Sequence, residues 1–280
     1  MNKTIPDFTD LQKTFEGDLY TDKSSQIIYA TDASAYREIP AAVARPRHEA
    51  DIKTLIEFAR KYRVPLIPRA AGTSLAGQVV GAGLVVDISK YMTQILELDI
   101  EQKQVRIQPG VIRDELNLYL KPNGLFFSPE TSTSNRCTLG GMLGNNACGA
   151  HSLVYGSTRD HIVSVKAILS DGSRAEFKAI TKSAFESKMQ EQTLEGQIYR
   201  NIYEILSDAE NRKRIRNEFP HPEIRRRNTG YAIDILAESN IFSDSDRPFN
   251  FAELLAGSEG TLAFITEMTV SLDDLPPAHK

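Results

Sequence analysis

Apolar residues recur along this chain with two different periods, and the switch between them outlines its organisation. Leu11, Phe15 and Leu19 fall at i, i+4 and i+8 on a polar background, so residues 1–35 are predicted to be a helical N-terminal extension. Pro40-Ala-Ala-Val-Ala-Arg-Pro46 reads as a short strand. His48–Tyr62 carries Ile52, Leu55, Ile56 and Ala59 on one face and predicts an amphipathic helix. Val64–Pro68 and Leu84–Ile88 are short apolar runs suited to buried strands, so residues 36–92 form a first unit of strand, helix, strand, glycine loop and strand. Beyond residue 92 the period becomes two. Ile95–Asp99, Gln104–Gln108 and Val163–Leu169 alternate as half-buried strands, Asp171-Gly172 turns into Arg174–Lys178, and Phe264–Leu272 is a last strand. Val111–Leu120 and residues 181–217 read as helical, and Ser243–Pro248 as a surface loop. A second unit thus covers 93–275. The last strand runs into 276–280 with nothing after it, which suggests the start of a linker to a further domain.

With 280 residues, 41% of them hydrophobic, the chain can bury a substantial core. Its net charge of −4 leaves no basic footprint for nucleic acid. The basic clusters Arg212–Arg216 and Arg225–Arg227 read as a solvated helix face and a loop. No apolar run reaches the ~20 residues of a membrane span, and the N-terminus has no signal-peptide pattern. Two cysteines, Cys137 and Cys148, without a CxxC spacing fit a reducing compartment, so a cytoplasmic location is expected. His48, His151, His161, His221 and His279 show no metal-ligand spacing, and no metal is expected.

Glycine marks the candidate chemistry. Gly140, Gly141, Gly144, Gly149 and Gly156 crowd the stretch Thr138–Asp160, which has little apolar periodicity. Small residues let main chain approach a large, flat, phosphorylated ligand, and consecutive N–H groups form anion-binding nests. A second such segment is Pro68-Arg-Ala-Ala-Gly-Thr-Ser-Leu-Ala-Gly77, with Thr73 and Ser74 as added hydroxyl donors. Neither a P-loop nor a Gly-x-Gly-x-x-Gly fingerprint fits it. Taken alone, this loop reads equally as a tight connection between two strands. A third small-residue turn, Gly257-Ser-Glu-Gly260, precedes the last strand, and Ser128-Pro-Glu-Thr131 lies before the long glycine stretch.

Together with Tyr155-Gly-Ser-Thr-Arg-Asp160 and Asn228-Thr-Gly-Tyr231, these segments, in this order, resemble the FAD-binding domain of the vanillyl-alcohol-oxidase/PCMH flavoprotein family over residues 36–275. The similarity points to its FAD-dependent D-lactate, D-2-hydroxyglutarate and glycolate dehydrogenase branch. The resemblance implies an α+β PCMH-type fold of two α/β subdomains clasping FAD. It implies a pyrophosphate loop at Arg69, Ala70, Ala71, Gly72, Thr73, Ser74 and Gly77. Pro129, Glu130, Thr131, Gly140, Gly141, Gly144, Asn145, Ala147 and Gly149 would run along the flavin and ribityl chain. Tyr155, Gly156 and Ile162 would line the adenosine and pyrophosphate, and Glu259, Gly260 and Ile265 would close the site. Relatives that tether FAD covalently use a histidine where this chain has Thr73, and Cys137 is out of register with the cysteine others use. The implied FAD is therefore non-covalent.

The resemblance further implies an oxidoreductase that takes a hydride from a D-2-hydroxy acid such as D-lactate and yields the 2-keto acid. In this branch the catalytic histidine lies mainly in a following cap domain, so the catalytic residues are expected beyond this chain. Arg225 and Thr229 match the branch's substrate-carboxylate residues, and a solvated basic loop is the competing reading. An alcohol or sugar oxidase of the same fold, or a non-catalytic flavin- or nucleotide-binding module, are the alternative functions. The electron acceptor is not specified by any residue.

Overall fold

The computed structural model describes residues 7–221, 223–224, 226–228 and 230–277. The chain builds two main sheets. The first has four strands in the order β1-β2-β4-β3: β1 (Asp18–Tyr20), β2 (Ala42–Arg45), β3 (Leu66–Arg69) and β4 (Leu84–Asp87). β4 runs parallel to both β2 and β3, and β1 pairs antiparallel at the edge. All of β4 is buried, as expected for a central parallel strand covered on both faces.

The second sheet has five antiparallel strands in the order β5-β6-β10-β8-β9: β5 (Ile95–Asp99), β6 (Gln104–Ile107), β8 (Ile162–Ile168), β9 (Arg174–Lys178) and β10 (Phe264–Ser271). Burial alternates strictly along β10, with Phe264, Thr266, Met268 and Val270 inward. A small ladder joins β7 (Leu125–Phe126) to β11 (Asp273–Asp274).

Between β2 and β3 lies α3 (Glu49–Tyr62). The His48 ring accepts from the Asp51 amide at 3.3 Å at its start, and Arg63 ends it in the left-handed region at φ 54°. Ile52, Leu55 and Ile56 face the first sheet, each contributing about 1.5–3 kcal/mol by burial. α1 (Thr9–Thr14) and α2 (Lys23–Ile28) precede it. The second part of the chain adds α4 (Arg113–Leu120), α5 (Leu139–Asn145), α6 (Ser152–Tyr155), α7 (Lys182–Gln190), α8 (Leu194–Ser207), α9 (Ala209–Glu218), α10 (Ile233–Ala237) and α11 (Ala252–Leu255), of which α11 packs directly against β8. Thr181, Thr193 and Asp208 cap α7, α8 and α9 and split the helical stretch expected at 181–217 into three. α9 buries no residue, so its Arg212–Arg216 cluster is a solvated face. Phe185, Tyr199, Phe249 and Phe251 stack edge-on beneath α7 and α8.

The N-terminal segment departs from its expected all-helical form. α1 ends at Thr14, and Leu19 lies on β1, opposite Ala44. Gly17 sets this: a Cβ there would lie 2.2 Å from the Arg45 carbonyl, so only glycine lets the chain swing in against β2. The glycine-rich stretch is also less irregular than its composition suggested, since α5 occupies Leu139–Asn145 with Thr138 as its cap.

A cleft walled by glycine and alanine

The glycine-rich segments line a cleft of about 780 Å³, within the range of about 300–1,000 Å³ seen for small-molecule sites. One wall is the end of β3 and the loop Pro68–Val79. The other is Thr131–Thr133, α5 and Ala147–Ala150. The turn Glu259–Ile265 closes the end. Of the residues expected to hold a cofactor, Arg69, Ala70, Ala71, Gly72, Thr73, Ser74, Thr131, Gly140, Gly141, Gly144, Asn145, Ala147, Gly149, Glu259, Gly260 and Ile265 all line this one cleft.

The remainder sit behind it. A Cβ on Gly77 would press on the Tyr36 ring at 2.6 Å. Pro129 presents its carbonyl to Arg113 at 3.0 Å. Glu130 binds the His151 amide at 3.0 Å and its ring Nδ1 at 2.7 Å, and these contacts outweigh burial to hold its carboxyl below the usual range. Tyr155 packs edge-on against Phe126 and turns its carbonyl to His161. Gly156 leans on Asp160, and Ile162 opens β8. Arg225, Thr229 and His279 lie outside the described residues.

Physical contact explains why these walls are made of small residues. A Cβ on Gly141 would lie 2.8 Å from the Ala70 methyl, and one on Gly140 would lie 2.5 Å from Pro109 Cβ. The glycines therefore let α5 close against the facing segments, rather than only leaving room for a ligand. Ala70 and Ala71 keep negative φ, while Gly72 takes φ +65° where the loop turns. Polar groups then span the gap. Asn145 Nδ2 donates to Glu259 Oε1 at 3.0 Å, Gln78 Nε2 reaches the same oxygen at 3.4 Å, and the Thr133 and Thr73 hydroxyls meet at 3.4 Å. Glu259 sits at φ 52°, its amide held by the Gly144 carbonyl at 2.9 Å, and burial pushes its carboxyl upward.

Arg69 is the cation of the first loop. Its fork is spent on the carbonyls of Tyr29 (3.3 Å) and Thr31 (2.9 Å), with the guanidinium 5.1 Å over the Tyr29 ring. Burial lowers its pKa, and among the described residues no carboxylate pairs with it. Cys137 is 6% exposed, accepts from the Thr131 hydroxyl at 3.2 Å, and has its thiol pushed up by burial, the reverse of an activated thiolate.

Several lining residues were not singled out individually by the sequence. Gln78, Pro109 and Thr133 join the walls from outside the marked segments, Met142 joins them from within the glycine stretch, and Arg226 and Asn228, from the basic cluster and the Asn228–Tyr231 motif, reach the rim beside Cys148. The polar residue after Gly77 and the Gln-Pro-Gly turn at 108–110 are the only marks that pointed to two of them.

Residues 40–178 match the family profile described as the FAD binding domain. The chain is similar to D-2-hydroxyglutarate dehydrogenase of Pantoea ananatis, 39% identical over 269 residues, which covers 95% of this chain and 25% of that protein. It is 38% identical to that of Escherichia coli, over 96% of this chain and 26% of that one. It therefore spans about a quarter of the length of these relatives. Among solved structures, an alkyldihydroxyacetonephosphate synthase superposes with a TM-score of 0.64 at 20% identity, covering 96% of this chain and 40% of that one. A 6-hydroxy-D-nicotine oxidase from Arthrobacter nicotinovorans gives 0.58 at 15% identity, over 98% and 44%. The chain belongs to the PCMH-type FAD-binding flavoproteins. Its cofactor is FAD.

The cleft fits that group on its own chemistry. Gln78 Oε1 is buried without a partner among the described residues, at the junction of both walls. Thr73, Ser74, Thr131 and Thr133 add hydroxyls, and Ala70, Ala71, Met142, Ala147 and Phe264 give flat apolar surface for a ring system. No described helix is long and apolar enough to cross a membrane.

Proposed function

We propose that this chain is the FAD-binding part of a dehydrogenase that oxidises a D-2-hydroxy acid to its 2-keto acid, with FAD held without a covalent bond. One observation carries the choice of acid. Four D-2-hydroxyglutarate dehydrogenases align over 94–96% of the chain at 36–39% identity. D-lactate and glycolate enzymes align over 53–58% at 29–35%. The longer alignment takes in the second half of the chain, including the 226–231 loop at the cleft rim, and favours a D-2-hydroxyglutarate-like acid over D-lactate.

FAD, when bound, supplies the hydride acceptor for such an oxidation. The chain's own part is to bind and to shield. Arg69 through Ser74 cradle the diphosphate with main-chain amides and hydroxyls, each such bond contributing about 1.5–3 kcal/mol. Gly140, Gly141, Gly144, Asn145, Ala147 and Gly149, which line the cleft, would run beside the flavin, and Glu259, Gly260 and Ile265 would close the end. The apolar walls keep water from the ring and strengthen every polar contact inside. On the substrate side, Arg225 and Thr229 are assigned to the acid's carboxylate by resemblance. Their neighbours Arg226 and Asn228 line the cleft, which brings this basic loop to the cofactor's side. An arginine fork suits a planar carboxylate. Thr73, in place of a tethering histidine, weighs against an alcohol or sugar oxidase with attached flavin.

The test is turnover by the full-length protein with a dye acceptor, comparing D-2-hydroxyglutarate, its L-enantiomer, D-lactate and glycolate. The expected result is a kcat/KM for D-2-hydroxyglutarate at least about tenfold above the others. No flavin bleaching with any 2-hydroxy acid under anaerobic conditions overturns the reading.

A further inference from the structure

Arg159 stands on the 3-10 turn Thr158–His161 just before β8, and it is 4% exposed. Burying a guanidinium without a carboxylate partner is costly, and none lies within ion-pair distance among the described residues. Its donors go to three carbonyls instead. Nε donates to Glu253 at 3.0 Å, at the start of α11. Nη2 donates to Gly230 at 2.9 Å and also to Ala256. Its own amide donates to Asn146 Oδ1 at 2.9 Å, at the end of α5. One residue thus ties together the rim loop 226–231, the turn that leads into Glu259, and the glycine helix.

Two further observations show that the surroundings are built around this fork. A Cβ on Gly257 would lie 2.8 Å from Arg159 Nη2 and 2.7 Å from the Gly230 carbonyl, so only glycine leaves the guanidinium its place. The rim loop has further ties at its flanks, Asn228 Nδ2 to Cys148 Sγ at 3.7 Å and the Tyr231 and Thr261 hydroxyls at 2.6 Å from each other. Arg227 beside it is consumed by a buried pair with Asp234 and takes no part in the bridge. Lysine, a single point charge, cannot serve carbonyls from separate segments as a planar fork does.

We propose that Arg159 is a positioning residue: it fixes the spacing between the 226–231 loop and the Glu259 turn, and so sets the carboxylate-binding end of the cleft against the flavin wall. This rests on the reading that the rim loop faces the hydroxy acid. It places no atom of Arg159 on substrate or cofactor. Its effect passes through the Gly230 and Ala256 carbonyls.

The test uses the full-length, FAD-loaded protein as Arg159→Lys and Arg159→Met, with three readouts. Hydrogen exchange across 226–231 and 256–260 is expected to rise roughly tenfold, the scale of one lost hydrogen bond to a charged donor, while amides of β8 and β10 stay protected. The FAD-to-protein ratio of the lysine variant is expected to match the wild type. KM for D-2-hydroxyglutarate is expected to rise about tenfold, with kcat within about threefold. Should the methionine variant fail to fold, the lysine variant decides. Unchanged exchange in both segments overturns the proposal, and so does a rise spread equally over β8 and β10, which marks a general structural prop. A proportionate fall in kcat with KM unmoved overturns it too. A wild-type protein inert toward every 2-hydroxy acid sinks the dehydrogenase reading, while the exchange measurement still judges Arg159.

Discussion

Gly141→Ala isolates the idea that the cleft depends on how closely its walls approach. The added methyl would stand 2.8 Å from the Ala70 methyl across the gap. Carbon atoms in ordinary contact sit about 3.5–4.0 Å apart, so roughly 0.7 Å or more must be gained by movement. Ala70 has no rotamer with which to turn aside, and Gly141 lies in the first turn of α5, so backbone on one wall has to shift. Overpacking of this kind costs about 1–3 kcal/mol, and replacing a helical glycine with alanine returns about 0.8–1.0 kcal/mol. The net loss of stability is therefore about 0–2 kcal/mol. FAD binding falls as well, because wall displacement weakens hydrogen bonds worth about 1.5–3 kcal/mol each, and one such bond is about a tenfold change or more in Kd. Gly144→Ala is the matched control on the same helix, where the new methyl would meet only Glu259 Cα at 3.8 Å and Gly260 N at 3.9 Å. Fluorescence titration of apoprotein with FAD is expected to show Kd raised at least about tenfold for Gly141→Ala and within about threefold for Gly144→Ala. Equal retention by Gly141→Ala and wild type refutes the wall-contact argument. Equal loss in both variants would mean that empty ligand space, and not wall approach, is what these glycines supply.

Acid precipitation of the full-length holoprotein should leave all flavin in the supernatant, because Thr73 occupies the tethering position and the Cys137 thiol is buried and held protonated; flavin fluorescence retained by the denatured polypeptide would contradict this. Burial raises the Glu259 carboxyl from 4.5, against the opposing hydrogen bonds from Asn145 and Gln78. The folded state therefore keeps this proton over a window that opens at 4.5 and extends upward, and stability falls as pH rises through it. Glu259→Gln removes that cost, so its Tm relative to wild type should climb between pH 5 and pH 8; a relative Tm that drops with rising pH would reverse the assignment.

What could be read along the chain and what could not divide by the range of the cause. β4 and β10 were legible because their burial is written in adjacent residues, a solid apolar run in one and strict alternation in the other. The three small-residue segments were legible as parts of one cleft because glycine density is local. Their division of labour was not. Gly140 and Gly141 answer to Pro109 and Ala70, residues far off in the chain, whereas Gly77 serves the Tyr36 ring behind the cleft. The N-terminus was misread for a related reason: Leu11, Phe15 and Leu19 have helical spacing, but Gly17 exists for the Arg45 carbonyl, and that contact turns the segment into an edge strand. Arg159 is the extreme case. It stands inside the Tyr155–Asp160 motif, but nothing in that motif says what the side chain holds, and its role follows only from three carbonyls at 230, 253 and 256 that fold around it. Small residues and buried cations take their meaning from partners distant in sequence. A function that depends on two walls meeting is therefore announced by composition and decided by contacts that no window of the sequence contains.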